Sequence, residues 1–223
     1  MSEFVDISGG CDSTALALYM ADKGADFELA FADTGAEFPE TYHTVTRVAR
    51  HIGKKLAVAC GGTFYQKLAT FGFFLPSMKG RWCTRSLKVM PLEYLEGTHH
   101  IGITADEAHR MPEKSRPLVG AGICREDARK MVKKAGLLNP IYLWRSSCSC
   151  FCCPFQRRGD WKGLLANHPD LFRLAEQWEE ESILNSQGHT WVKGHRLSEI
   201  RKGEEGQLRL WPEPEEPCVI CRI

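Results

Sequence analysis

The stretch Phe4-Val5-Asp6-Ile7-Ser8-Gly9-Gly10-Cys11-Asp12-Ser13-Thr14 decides how the rest of the chain is read. Its first four residues, apolar but for Asp6, read as a short strand. From Ser13, the run Thr14-Ala15-Leu16-Ala17-Leu18-Tyr19-Met20 reads as a helix ending near Gly24. Between them, Gly9 and Gly10 permit backbone conformations and close approaches that larger residues forbid, while Ser8, Ser13 and Thr14 add hydroxyl donors. Backbone N–H groups at a helix start, together with the positive end of the helix dipole, hold anions. Strand, glycine loop and helix therefore predict a phosphate site.

Moving outward, 27–32 reads as a second strand, Pro39 opens a helix, and Leu56-Ala57-Val58-Ala59 reads as a third strand. Helices near 63–69 and 86–95 and a strand over 99–103 continue the alternation, which predicts an α/β fold with a doubly wound, mainly parallel sheet. A basic helix is expected over 125–135, stopped by Gly136, and Asn139-Pro140-Ile141-Tyr142 leads into a cysteine-rich loop. Two further helices follow, over 160–167 and 169–187, before an irregular stretch marked by Pro212, Pro214 and Pro217. The expected division is a nucleotide-binding α/β domain over 1–145, a cysteine-rich loop and helical extension over 146–202, and a tail over 203–223.

The 223 residues are 43% hydrophobic and 26% charged, which excludes wholesale disorder and fibrous repeats. With 29 basic and 28 acidic side chains the net charge is +1, so charge alone points to neither a nucleic-acid nor a membrane partner. No apolar run approaches about 18 residues, and Met1-Ser2-Glu3 lacks a basic n-region; the expectation is a cytoplasmic protein with no membrane association. Ten cysteines in a reducing compartment point to metal, cluster or redox chemistry rather than disulfides. They concentrate in Cys148-Ser149-Cys150-Phe151-Cys152-Cys153-Pro154, where Cys150 and Cys153 have the C-x-x-C spacing that lets two thiolates meet one metal or cluster. Cys148 and Cys152 compete with that pair. Arg125, Arg129 and Lys133 recur on one face of the basic helix, and Arg157-Arg158 follows the cysteine loop; such a surface suits a phosphate backbone or plain solvation.

Four ordered segments carry a resemblance. Ser8-Gly9-Gly10-Cys11-Asp12-Ser13 resembles the SGGxDS loop of the PP-loop adenine-nucleotide α-hydrolase superfamily. Ala32-Asp33-Thr34-Gly35 with Phe38-Pro39-Glu40-Thr41-Tyr42, Arg81-Trp82-Cys83-Thr84-Arg85 with Lys88, and Gly102-Ile103-Thr104-Ala105-Asp106-Glu107 with Arg110 resemble its phosphoadenosine-phosphosulfate (PAPS) reductase-like branch. The resemblance implies a five-stranded sheet. It also implies that Ser8, Gly9, Gly10, Cys11, Asp12, Ser13 and Thr14 hold phosphates and that Ala32, Asp33 and Thr34 lie by the adenosine. Asp12, Arg81, Arg85, Lys88 and Arg110 are the catalytic candidates, with Mg2+ and the basic side chains offsetting charge on a leaving pyrophosphate. The resemblance adds Cys83 to the cysteine pair and chain position adds Cys124, so the expected ligands are Cys83, Cys124, Cys150 and Cys153. The family favours a [4Fe-4S] cluster, with zinc as the alternative. Two departures stand out: Cys11 lies where many relatives carry lysine, and Thr104 where an arginine often occurs.

The implied function is ATP binding with cleavage at the α-phosphate to AMP and pyrophosphate. That step would activate a DNA, RNA or small-molecule acceptor for sulfur transfer from a donor protein, in a role ancillary to a mobile element, CRISPR or defence system. Two alternatives accompany it. One is thiol-dependent reduction of PAPS or adenylyl sulfate to sulfite, although the family's C-terminal ECGxH-type segment is missing and only Cys218-Val219-Ile220-Cys221 stands near the end. The other is a nucleotide-sensing or nucleic-acid-binding module without catalysis.

Overall fold

The computed structural model describes residues 2–186 and 188–205. Cys218 and Cys221 lie outside the described residues. Strand β1 (Glu3–Asp6) runs into helix α1 (Cys11–Asp22), and β2 (Glu28–Asp33) into α2 (Pro39–Ile52). Strand β3 (Leu56–Cys60) is followed by α3 (Phe64–Thr70), whose start is closed by a reciprocal Thr63 and Gln66 capping box. A helical stretch then passes from α4 (Trp82–Thr84) through a π-helical turn at Arg85–Val89 into α5 (Met90–Glu93), ahead of β4 (Thr98–His100). After short α6 (Pro117–Gly120) come α7 (Arg125–Lys134), α8 (Arg158–Asn167), α9 (Pro169–Asn185) and α10 (Leu197–Glu205).

All strand pairs are parallel and the order is β3-β2-β1-β4. The order reverses at β1, so the loop after β1 opens at a topological switch point, the usual place for a ligand in an open α/β sheet. The sheet has four strands among the described residues rather than the expected five. Beyond β4 the chain forms only a single bridge, His100 with Ser115, before turning into α6 at Pro117. Farther on, Pro140 begins a 3-10 turn capped by the Asn139 side chain, so neither apolar stretch extends the ladder.

Two cores form. Val5, Leu16, Leu29, Phe31, Val48 and Val132 join the sheet to α1, α2 and α7. The second joins Phe38, Phe64 and Leu68 from the first half of the chain to Ile141, Trp161, Phe172 and Trp178 from the second. The helical extension is thus packed on the α/β layer through shared aromatics, including Phe64 stacked on Trp178 at 5.3 Å. Among the described residues no helix is long and apolar enough to cross a membrane.

Candidate functional site

The loop between β1 and α1 is shaped by its own hydrogen bonds. Gly9 has φ 72°, and a Cβ there would come within 2.9 Å of Thr41 Cγ2, so both conformation and space demand glycine. The Ser13 hydroxyl accepts from Ser8 N at 3.1 Å and donates to Gly10 O at 3.2 Å, closing the loop over the helix start. The Cys11 N–H donates to the hydroxyl of Tyr142 at 3.1 Å. From the end of β4, Gly102 packs so tightly that a Cβ would lie 2.6 Å from Ser13 N.

These groups form one wall of a pocket of about 470 Å3, a size within the usual range for small-molecule sites. Ser8, Gly10, Cys11, Asp12, Ser13 and Arg110, all expected from the sequence, line it. Gly9 and Thr14 support the loop from behind, and Thr14 is only 1% exposed. Ala32, Asp33, Thr34, Arg81, Arg85 and Lys88 do not line it. Asp33 instead accepts from Tyr42 and Gly35, Arg81 lies over the Phe155 ring at 5.1 Å, and Arg85 is exposed. Lys88 is drawn 3.3 Å from Glu37, a carboxylate whose side chain is 3% exposed and needs a counter-ion.

The positive charge of the pocket comes from elsewhere. Arg125 and Arg129 of α7 and Arg157 ahead of α8 join Arg110 on its wall. Glu107, 5% exposed, receives Arg110 Nη1 at 2.6 Å and Arg125 Nη2 at 2.7 Å, while Arg125 also reaches Asp12 at 3.4 Å. Burial raises the Asp12 carboxyl above its ordinary value, against the pull of Arg125. Burial and the Asp12 charge push the Cys11 thiol up to about 11, so it faces the pocket as a neutral thiol; Arg129 and Arg125 oppose the shift. The Arg125 and Arg129 face, read from sequence as either solvated or phosphate-binding, thus borders the glycine loop beside Cys11. Sequence reasoning also overlooked Tyr142 and Asp6, which line the pocket and carried no motif signal of their own.

The cysteine loop abuts this pocket. Cys148 lines it, with its thiol 3.7 Å from the Ser8 carbonyl and 3.5 Å from Asn139 Nδ2, which also donates to Gly9 O at 3.1 Å. Burial pushes the Cys148 thiol up to about 11. Cys150 donates to Glu37 Oε1 at 3.2 Å, and Thr34 donates to the same oxygen at 3.0 Å. Arg145, 4% exposed, holds the loop through Ser149 O at 3.0 Å and Cys150 O at 3.2 Å, with its guanidinium over Phe38. Cys83, Cys150 and Cys153 are brought together with buried Cys152, each close enough to raise the pKa of the Cys152 thiol after burial itself. Cys124 is not part of this group: it precedes α7 and donates to Asp127 Oδ2 at 3.0 Å. The donors fit a soft metal or cluster in kind, and the cations of Lys88 and Arg145 suit an anionic thiolate centre. Among the described residues no three histidine, cysteine, aspartate or glutamate side chains stand at metal-binding spacing.

Residues 3–152 match the family described as the phosphoadenosine phosphosulfate reductase domain, and the chain belongs to that family. Two curated proteins of Methanocaldococcus jannaschii are similar to it, both themselves uncharacterized. One is 29% identical over 215 residues, covering 85% of this chain and 44% of its own length. The other is 37% identical over 189 residues, covering 74% of this chain and 44% of its own length. The chain therefore spans less than half the length of these relatives. Among solved structures, the PAPS reductase of Candida auris in its phosphate complex superposes with a TM-score of 0.53 at 16% identity, over 67% of this chain and 81% of that one. That likeness concerns the fold.

Proposed function

We propose that the chain binds ATP with Mg2+ in the pocket at the end of β1 and cleaves it at the α-phosphate. AMP would pass to water or to a nucleic-acid or small-molecule acceptor, and pyrophosphate would leave. The observation that carries this reading is the pocket itself, in which a glycine loop at a helix N-terminus faces Arg110, Arg125, Arg129 and Arg157. Loop N–H groups and guanidinium groups aimed at one volume stabilise charge on a departing pyrophosphate. Cys83, Cys150 and Cys153 are the residues that would hold a [4Fe-4S] cluster or zinc ion next to the pocket. Such a centre, when bound, supplies a redox-active or Lewis-acidic site there.

A second reading is thiol-dependent reduction of PAPS or adenylyl sulfate, favoured by the Cys148 thiol on the pocket wall. Calorimetric titration of anaerobically prepared protein with ATP plus magnesium, and separately with PAPS, followed by product analysis, tests both. Tighter binding of ATP with release of AMP and pyrophosphate is the expected result. Tighter binding of PAPS with sulfite formation would replace the first reading with the second. If neither nucleotide yields product, binding alone remains.

A further inference from the structure

Asp6, the last residue of β1, lines the pocket two positions before Ser8. On the adjacent strand β4, His99 sets Nδ1 2.6 Å from Asp6 Oδ1 and Nε2 2.9 Å from the carbonyl oxygen of Leu95. A carbonyl oxygen only accepts, so Nε2 must carry hydrogen, which fixes the tautomer of the neutral ring. Nδ1 and Oδ1 at that separation then share one further proton, held either on the imidazole as an ion pair or on Asp6 as a neutral acid. Phe4 stacks on the ring at 5.1 Å. Both side chains are largely withdrawn from water, at 20% exposure for Asp6 and 15% for His99. Burial raises the Asp6 carboxyl above its ordinary value, opposed by His99, Lys114 and His100.

We infer that Asp6 is the proton acceptor of the reaction in this pocket, with His99 as the residue that positions it. The inference rests on the α-phosphate reading and assigns the step for which the sequence offers no base. An acceptor X–H attacks the α-phosphorus, forming the X–P bond as the bond from phosphorus to the bridging oxygen breaks. Pyrophosphate leaves with that electron pair, and the proton of X–H passes to the Asp6 carboxylate. In the competent state the proton shared with His99 stays on Nδ1 and Asp6 is ionised, so the proton received settles on the Asp6 carboxylate. With water as X–H, the products are AMP and pyrophosphate. With any other nucleophile they are the adenylylated acceptor and pyrophosphate. General-base assistance of this kind is worth roughly 10²- to 10⁴-fold in rate.

The test compares wild type with Asp6→Asn and His99→Gln in three measurements: ATP affinity by calorimetry, pyrophosphate release against pH, and the proton NMR spectrum of the imidazole N–H region. The expected result is ATP binding within about threefold of wild type for both variants. Turnover should fall at least about 100-fold in Asp6→Asn. In His99→Gln the acid limb of the rate profile should move. A downfield imidazole N–H signal in wild type should be lost in both variants. Asp6→Asn turning over within threefold of wild type, with its affinity intact, overturns the inference while leaving the α-phosphate reading standing. Wild-type protein that binds ATP but releases no pyrophosphate overturns both. Equal losses of affinity and rate in Asp6→Asn would show that Asp6 shapes the loop rather than accepting a proton, and would also overturn the inference.

Discussion

The backbone N–H of Cys11 donates to the hydroxyl of Tyr142 at 3.1 Å, joining residues 131 positions apart in the chain. That N–H belongs to the first turn of α1, which in a phosphate site points at the ligand. The Tyr142 oxygen therefore occupies a position that an anionic oxygen would take. Tyr142→Phe should leave the N–H without this partner and lower stability by about 1 kcal/mol. Bound pyrophosphate would satisfy the N–H again. The variant should accordingly melt lower without ligand and bind inorganic pyrophosphate about fivefold more tightly, a factor that follows from the same 1 kcal/mol. Weaker binding in calorimetry would instead show that the hydroxyl donates to the phosphate.

Gly102 tests the geometry of the loop from the other side. Its φ is not in the left-handed region, so substitution there is purely a matter of space. A Cβ would stand 2.6 Å from Ser13 N and 2.7 Å from Ser13 Cα, both backbone atoms that can yield only by moving the loop. Gly102→Ala should cost about 1–3 kcal/mol of stability as overpacking and weaken ATP binding at least about tenfold. Chemical denaturation and calorimetry on the same preparation measure the two effects. Unchanged affinity would mean that the loop adjusts freely.

Much of this site was legible in the sequence because much of it is local. A strand, a glycine turn and a helix start fall within consecutive residues, and the alternation that followed required only short-range patterns; β1, β2, β3, α1, α2 and α7 lie where those patterns put them. The missed parts depend on which elements become neighbours. Asp6 meets His99 only because β4 lies beside β1. Tyr142 reaches Cys11 only because the 3-10 turn at Pro140–Leu143 folds over the loop. Lys88 and Arg81 looked like phosphate ligands in one dimension, yet a buried carboxylate and an aromatic ring hold them in three. Cys124 was placed by chain position, which carries no information about whether a thiol turns toward another loop.

The contribution of the α7 cations to the pocket can be measured directly. Arg129 lines the pocket and lies close enough to Cys11 to oppose the rise in its thiol pKa. Arg129→Gln should raise the dissociation constant for ATP about tenfold, with the difference narrowing as salt screens the lost charge. Arg85→Gln removes an exposed charge outside the pocket and should leave affinity within twofold. The comparison is one titration series at low and high ionic strength. Equal effects from the two variants would show a diffuse field rather than a contact at the pocket.

A pH-dependent contribution to stability resides in the helical extension. Glu179 on α9 is 1% exposed and accepts from Trp191 N at 2.9 Å and Leu197 N at 2.6 Å, yet burial lifts its pKa from 4.5 to about 7. Between those two values the folded protein binds this proton more tightly than the unfolded chain does. Stability from this group is therefore fully present below about 4.5, falls as pH rises through the window, and is lost above about 7. The change is on the order of 3 kcal/mol at most. Glu179→Gln cannot titrate, and its amide sets a donor against one of the two backbone N–H groups. Its disadvantage relative to wild type should be largest at pH 5 and shrink toward pH 8, as read from urea midpoints. A constant difference across that range would assign Glu179 a purely structural cost.

The cysteines separate along the same line of geometry. Cys83, Cys150 and Cys153 each act on the buried Cys152 thiol, while Cys124 donates to Asp127 at the start of α7. Single serine substitutions should divide accordingly after anaerobic reconstitution with iron and sulfide, or with zinc. Cys83→Ser, Cys150→Ser and Cys153→Ser should each lose most of the metal retained by wild type, because a soft centre loses a thiolate that a hydroxyl replaces poorly. Cys124→Ser should retain it in full. Metal analysis per folded chain, with circular dichroism to confirm that each variant is folded, gives the answer without reference to turnover. Loss of metal in Cys124→Ser would require the start of α7 to swing, carrying Cys124 toward the cysteine loop. That movement would break the Arg125 bridge to Asp12 and Glu107, and so would also appear as weakened nucleotide binding.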